Sequence, residues 1–213
     1  MTDKTEYFEA IVIGAGVAGI YQIKRLNDMG VHATVLEAAG GLGGTWYNNR
    51  YPGARFDSES YTYGYSFSKE VLDEWHWKER YSPQPENLSY LEFVADKFDL
   101  RRHMQFNCRV DAAHFDDEEN IWYLTVNGDR KMSCRWLIMG VGLLSIPTMP
   151  RLDGVENFKG DSFHTFDWPH EGYDLTGKRV GIIGTGATAI QVILRTGSTP
   201  CTCSSAAPTG PRR

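Results

Sequence analysis

The 213-residue sequence has few cysteines, no surplus of positive charge and no long apolar run. Of its four cysteines, Cys108 and Cys134 stand alone in strand-like segments and are predicted to be buried thiols. Cys201 and Cys203 are not followed by a histidine or cysteine that could complete a zinc site, so we expect no bound metal. The net charge of −5 gives no electrostatic reason to expect binding to nucleic acid or to an anionic membrane.

No apolar run is long enough to cross a bilayer, and no basic and apolar leader precedes the first predicted strand. We therefore expect a cytoplasmic protein. The hydrophobic content of 41% and the charged content of 23% are ordinary for a globular domain. Six tryptophans and eleven tyrosines are many for this length. They suit a protein that surrounds a large planar cofactor, although aromatic packing in a core explains them almost as well.

The segment from Glu9 to Gly19 predicts a dinucleotide-binding turn. Ala10 to Ile13 is a short apolar run, typical of a buried parallel strand. Gly14, Gly16 and Gly19 then form a G-x-G-x-x-G pattern. The first glycine permits a tight turn, the second lets a pyrophosphate approach the backbone, and the third lets helix pack on strand. The alternative is a glycine-rich turn in an unrelated α/β protein.

The elements after this turn support the dinucleotide interpretation. Apolar residues recur at helical spacing after Gly19, and Gly30 is a plausible end for that helix. Val31 to Leu36 predicts the second strand, which brings Glu37 to its carboxyl end. A carboxylate there suits the two hydroxyls of an adenosine ribose and repels a 2′-phosphate, which favours FAD or NAD over NADP at this first site.

A long segment without periodicity, from Gly43 to Asp57, follows Glu37. Glycine and proline punctuate it, which predicts an irregular functional loop. Thr45 and Trp46 can lie along a flavin, and Asp57 places a carboxylate beside it. The alternative is a solvated surface loop. Beyond it, aromatic residues alternate from Tyr61 to Phe67, which predicts a strand.

The middle of the chain predicts a helix and an antiparallel meander. An apolar stripe at helical spacing runs from Leu88 to Phe98. Strands are predicted over 104–115, 121–126 and 131–139, with Asn127-Gly128 as a hairpin turn between the last two. Such a meander suits the antiparallel insertion of flavoproteins that bind two dinucleotides.

A second glycine turn follows a proline-marked linker at 145–150, the expected domain boundary. Lys178 to Ile183 predicts another buried strand, which leads into Gly184-Thr185-Gly186-Ala187 and a further helix. Two nucleotide-binding turns in one chain imply two bound dinucleotides, and hence electron transfer between them.

With these motifs the chain resembles the type I Baeyer–Villiger monooxygenases, a branch of the class B flavoprotein monooxygenases. The match runs from about residue 8 to residue 193. It includes the first glycine motif, the G-G-x-W-x-x-x-x-Y-P-G-x-x-x-D loop that ends at Asp57, and a linker fingerprint, F-x-G-x-x-x-H-T-x-x-W-P. The fingerprint residues here are Phe158, Gly160, His164, Thr165, Trp168 and Pro169.

The resemblance implies a reaction and a set of site residues. NADPH reduces FAD, the reduced flavin traps O2 as a C4a-peroxyflavin, and the peroxide converts a small ketone to an ester or lactone. It assigns catalytic roles to Asp57, beside the flavin, and to His164, in the hinge between domains. The positions that the resemblance assigns to the cofactors, beyond the glycines of the first turn, are Glu37, Gly44, Thr45, Trp46, Asp57, Tyr63 and Val110 for FAD, and Gly184, Thr185, Gly186 and Ala187 for NADPH.

The expected fold class is α/β. It comprises a Rossmann-type FAD-binding domain with an antiparallel β insertion over 1–147, a linker over 148–175, the start of an NADPH-binding Rossmann domain over 176–193, and a disordered, aberrant tail over 194–213. Two departures from the family are visible. Gly140-Val141-Gly142 stands where the family has Ala-Thr-Gly, and the resemblance stops after Ile193. We therefore expect a truncated, inactive form. The alternatives are a flavin monooxygenase that oxidises nitrogen or sulfur, and a non-catalytic FAD-binding remnant.

Overall fold

The computed structural model describes residues 5–195 and 201–204. The chain forms two compact units, of which the first contains Met1–Asn48 and Leu88–Ile146. The second contains Asn49–Asn87 and Pro147–Arg213. The expected boundary at 147 lies beside one of these divisions, whereas the grouping of Asn49–Asn87 with the C-terminal part has no counterpart in the expected division. The assignment of functional domains stays a prediction.

A six-stranded sheet in the order β3-β2-β1-β6-β5-β4 forms the centre of the first unit. Strand β1 lies parallel to β2 on one side and to β6 on the other. Strand β5 pairs antiparallel with β6 on one side and with β4 on the other. The antiparallel meander therefore extends the parallel sheet through the long strand β6. This arrangement confirms the α/β fold class. The strands are β1 (Glu6–Ile13), β2 (Ala33–Leu36), β3 (Met104–Gln105), β4 (Val110–Asp116), β5 (Ile121–Val126) and β6 (Arg130–Met139).

Central strand β1 is buried on both faces, as its continuous apolar run predicts. Ala10, Ile11 and Val12 have no solvent exposure. On one face Ile11 belongs to a buried cluster that includes Leu36 of β2 and Leu124 of β5. Helices α1 (Val17–Asp28) and α4 (Gln84–Lys97) account for the two predicted helical stripes, and Leu91, Val94 and Ala95 of α4 are fully buried.

The hairpin between β5 and β6 is confirmed, with Asn127 and Gly128 both at positive φ. The single strand predicted over 104–115 is instead divided into β3 and β4. The division has a structural cause, because β3 pairs parallel with β2 and β4 pairs antiparallel with β5. Asn107, at a φ of +56°, lies in the turn between them.

The alternating aromatic residues from Tyr61 to Phe67 do not form the predicted strand. Ser60–Tyr63 is a short 3-10 helix, followed by a bend. The Tyr63 ring packs 4.1 Å from that of Phe56, and the rings of Tyr65 and Phe67 lie 5.3 Å apart, centroid to centroid. The aromatic spacing therefore reflects local ring packing, which period-two alternation alone does not distinguish from a strand.

The remaining elements are short. The loop predicted to be irregular after Gly43 contains the four-residue helix α2 (Thr45–Asn48), and α3 (Lys69–Glu74) begins after the capping residue Ser68. In the second unit β7 (Val180–Ile183) leads into α5 (Ala187–Arg195). Four residues of the segment predicted to be disordered, Cys201–Ser204, instead form β8, because their backbone pairs parallel with β7. The rest of that segment after Arg195 lies outside the described residues.

Among the described helices, none is both long and apolar enough to cross a membrane.

Candidate functional site

The first glycine turn is tightly built around two of its three glycines. Gly14 has a φ of +98°, and a Cβ atom there would lie 2.6 Å from the carbonyl oxygen of Gly140. A Cβ atom on Gly19 would lie only 1.8 Å from the carbonyl oxygen of Gly14. These distances are the physical reasons for the first and third glycines, since any larger residue would force the strand, the turn and α1 apart.

Gly16 has a different environment. A Cβ atom there would make an ordinary 3.5 Å contact with Cα of Gly44, and its φ of −81° suits any residue. The protein's own packing therefore does not require a glycine at this position. Gly16 is the N-cap of α1 and makes no side-chain capping hydrogen bond. Gly16 therefore leaves room for a ligand group at the N-terminus of α1. The free N–H groups and the helix dipole favour an anion at such a position.

The double glycine of the following loop lies directly against this turn. The N–H of Gly43 donates to the carbonyl oxygen of Ala15 at 2.9 Å. Gly44 has a φ of +53°, and a Cβ atom on it would lie 2.9 Å from Cα of Gly16. Thr45 is exposed at the start of α2, whereas Trp46 is buried. The structure thus brings Gly44 against the first turn, and Thr45 and Trp46 follow it at the start of α2.

Glu37 is buried at the carboxyl end of β2, as the sequence predicts. Its two carboxylate oxygens accept backbone N–H groups, one from Ala15 at 2.7 Å and the other from Ala39 at 2.8 Å. These bonds fix the carboxylate beside the glycine turn. Each oxygen keeps a further acceptor position, so the carboxylate can also receive the hydroxyl groups of a ribose. Val110, the predicted adenine contact, is the first residue of β4 and packs against the buried cluster that contains Leu36.

Asp57 and Tyr63 belong to the second unit. The side-chain amide of Gln191 in α5 donates from Nε2 to Oδ1 of Asp57 at 3.3 Å and to the carbonyl oxygen of Arg55 at 3.2 Å. Its Oε1 accepts the hydroxyl of Tyr51 at 2.9 Å. Burial of the phenol is the main cause that raises the pKa of Tyr51. The Tyr51–Asp57 segment is therefore tied at both ends to the helix after the second glycine turn.

His164 caps a short 3-10 turn. Its Nδ1 accepts the N–H of Phe166 at 3.1 Å, at the start of Thr165–Asp167. This bond requires an unprotonated Nδ1 and therefore a ring with its proton on Nε2. Close by in sequence, the buried ring of Trp168 lies 5.6 Å from the ring of Phe163. The fingerprint histidine and tryptophan thus both shape the linker.

The second glycine turn is open. Gly184 has a φ of +120°, and no atom of the described residues lies within 4 Å of a Cβ placed on Gly184 or Gly186. Thr185, Gly186 and Ala187 are exposed at the start of α5. In contrast to Gly14 and Gly19, these glycines have no described neighbour that excludes a side chain.

Two contributors to these sites, Gln191 and Gly140, are not predicted from the sequence. The available signal for Gln191 was a polar residue within the otherwise apolar run from Ala189 to Leu194. Gly140 was noted only as a departure, whereas its N–H donates to the carbonyl oxygen of Ile13 at 2.8 Å and its own carbonyl borders Gly14.

The parallel strands, glycine turn and terminal acid of the first unit define a dinucleotide-binding fold. A family profile described as flavin-binding monooxygenase-like matches residues 9–200, and the chain belongs to that family. The chain is 47% identical to a Baeyer–Villiger monooxygenase of Pseudooceanicola batsensis over 89% of its own length and 35% of that protein. It is 46% identical to phenazine N-monooxygenase PhzNO1 of Lysobacter antibioticus, over 90% of this chain and 35% of that one.

A solved structure, OTEMO in complex with FAD and NADP, superimposes with a TM-score of 0.87 at 45% identity. The alignment covers 95% of this chain and 39% of that one. These similarities confirm the resemblance to Baeyer–Villiger monooxygenases. The chain spans about a third of the length of the curated relatives it matches.

Proposed function

We propose that this chain carries the FAD-binding core, and the start of the NADPH-binding region, of a monooxygenase that converts small ketones to esters or lactones with O2. The observation that carries the proposal is the space left by Gly16 at the N-terminus of α1, next to the fixed carboxylate of Glu37. A pyrophosphate and an adenosine ribose need these two features at this spacing.

The residues of the first unit would hold FAD by its adenosine half. The N-terminus of α1 receives the pyrophosphate, and Glu37 accepts the ribose hydroxyls. When bound, FAD supplies the oxygen-activating chemistry after reduction by NADPH, and the protein orients the reactants and excludes water. The second turn, from Gly184 to Ala187, would receive the NADPH pyrophosphate, and Asp57 and Tyr63 would line the flavin.

Oxidation of nitrogen or sulfur is the second candidate. It is favoured by the similarity to the phenazine N-monooxygenase, which matches this chain at 46% identity, about as closely as the Baeyer–Villiger relative does. The linker residues Trp168 and Pro169 favour the ketone reaction, since the resemblance associates this pair with the Baeyer–Villiger branch. Assays of a full-length form with ketone, amine and thioether substrates would separate the two, and an N-oxide or sulfoxide as the main product would contradict the first.

Binding of FAD by the 213-residue chain tests the proposed FAD site directly. We expect this chain to bind FAD through the N-terminus of α1 and Glu37. A flavin spectrum of the purified chain and quenching of flavin fluorescence on titration would measure binding. Flavin fluorescence that stays unquenched at saturating protein would contradict the proposed FAD site.

A further inference from the structure

One side chain, Gln191, joins three separate points of the Tyr51–Asp57 segment. Its Oε1 accepts the Tyr51 hydroxyl at 2.9 Å and the N–H of Arg55 at 3.4 Å. Its Nε2 donates to the carbonyl oxygen of Arg55 at 3.2 Å and to Oδ1 of Asp57 at 3.3 Å. Both ends of the amide are therefore used, and the four bonds all lie within the second unit.

The partners permit only one orientation of this amide. The backbone N–H of Arg55 can only donate and its carbonyl oxygen can only accept, so they select Oε1 and Nε2 respectively. Partial burial raises the pKa of the Tyr51 phenol above its ordinary value, so its hydroxyl is protonated at neutral pH and can donate to Oε1. An amide fixed in this way must present an N–H to Asp57.

We propose that Gln191 is a positioning residue, whose oriented amide holds the carboxylate of Asp57 in place and links it to the helix that follows the second glycine turn. Any effect of Gln191 on a bound flavin rests on the proposed function, in which Asp57 lies beside the isoalloxazine ring. The contact itself does not depend on that function, so the two statements can fail separately.

The backbone around Gln191 shows why this helix can hold the segment closely. A Cβ atom on Gly53 would lie 2.5 Å from the carbonyl oxygen of Gln191 and 2.8 Å from Cγ of Arg195. Gly53, at a φ of +84°, therefore permits a close approach between the segment and α5. The side chain of Arg55 turns to Glu79, with Nη1 at 3.2 Å from Oε2, which leaves its backbone to bind the amide.

The first test is the side-chain amide resonance of Gln191 in the 213-residue chain, observed by ¹H–¹⁵N NMR. In Asp57→Ala we expect the Nε2 proton to lose the downfield shift that a carboxylate acceptor causes. Asp73→Ala is the matched control, because it removes an exposed carboxylate that pairs with Lys69 on α3. A Gln191 resonance that responds equally to both variants, or to neither, would overturn the proposal.

The second test uses the flavin as a reporter. In the FAD-loaded chain we expect Gln191→Leu to shift the flavin reduction potential, since the position of a nearby charge tunes flavin electronics. The shift should disappear in the Asp57→Asn background, because Gln191 acts through that carboxylate. An equal shift in both backgrounds would mean that Gln191 is only structural and would overturn the proposal. A chain that binds no FAD would refute the proposed function, and the NMR test would still decide the contact.

Discussion

Two alanine substitutions in one turn separate the packing role of a glycine from its binding role. At Gly19 a Cβ atom would overlap the carbonyl oxygen of Gly14 at 1.8 Å, whereas at Gly16 it would have room, with Cα of Gly44 at 3.5 Å. We therefore expect Gly19→Ala to damage the fold. Gly16→Ala should leave the fold intact and weaken binding of FAD.

The structure sets the size of each effect. Relief of the overlap at Gly19 needs a shift of more than 1 Å in strand or helix, and such overpacking costs about 3 kcal/mol. For a chain of this size that corresponds to a decrease in Tm of roughly 6–12 °C. Gly16→Ala should change the free energy of unfolding by less than about 1 kcal/mol, since the loss of a favourable N-cap and the lower entropy of the unfolded chain largely cancel.

For FAD binding, in contrast to stability, we expect Gly16→Ala to have a direct effect. A methyl group on Gly16 that keeps a pyrophosphate from the N-terminus of α1 removes a charge-assisted hydrogen bond, worth about 1.5–3 kcal/mol. This corresponds to about a 10–150-fold loss of affinity. At an FAD concentration of 100 times the wild-type Kd, ligand stabilisation is about 2.7 kcal/mol, and it should fall to about 0.3–1.4 kcal/mol in Gly16→Ala.

Thermal unfolding of both variants, with and without FAD, measures all of these quantities in one assay. If Gly16→Ala lowered the Tm of the apo chain as much as Gly19→Ala does, Gly16 would be needed for packing, contrary to the structure. If Gly16→Ala kept the full stabilisation by FAD, the space at Gly16 would serve no ligand and its proposed binding role would be wrong.

Three further outcomes follow from buried polar groups. We expect Glu37→Gln to lower the free energy of unfolding by about 1–2 kcal/mol, measured by chemical denaturation, because its amide NH2 must face one of two backbone N–H groups. Ser60→Ala should cost about 1–3 kcal/mol, since it removes the acceptor of the Ser82 N–H, while exposed Ser58→Ala should cost little. Burial raises the pKa of the Cys134 thiol to about 11, so the thiol should resist alkylation at pH 8. Because the unfolded thiol ionises near pH 9.0, stability should decrease as the pH rises from there to about 11, and stability that increased over this range would contradict the assignment.

The elements with strong local signals were predictable. The apolar run of β1, the glycine turn, the Asn127-Gly128 hairpin and the acid Glu37 are each specified by residues close together in sequence. The predicted strand over Tyr61–Phe67 was wrong because alternation does not distinguish a strand from a turn with paired rings. The division between β3 and β4 was missed because the chain changes partner strand there, and that partner is set by the sheet.

The sequence by itself determined the class of this protein and the order of its binding turns, because glycine spacing, strand periodicity and an acid at a strand end are local properties. Only the tertiary structure decided that Gly14 and Gly19 serve packing and that Gly16 leaves space for a ligand. This depends on Gly44 and Gly140, which approach the turn from distant parts of the chain. It also decided the partner of Asp57, because Gln191 lies on a helix whose position beside the Tyr51–Asp57 segment is set by packing and not by sequence spacing.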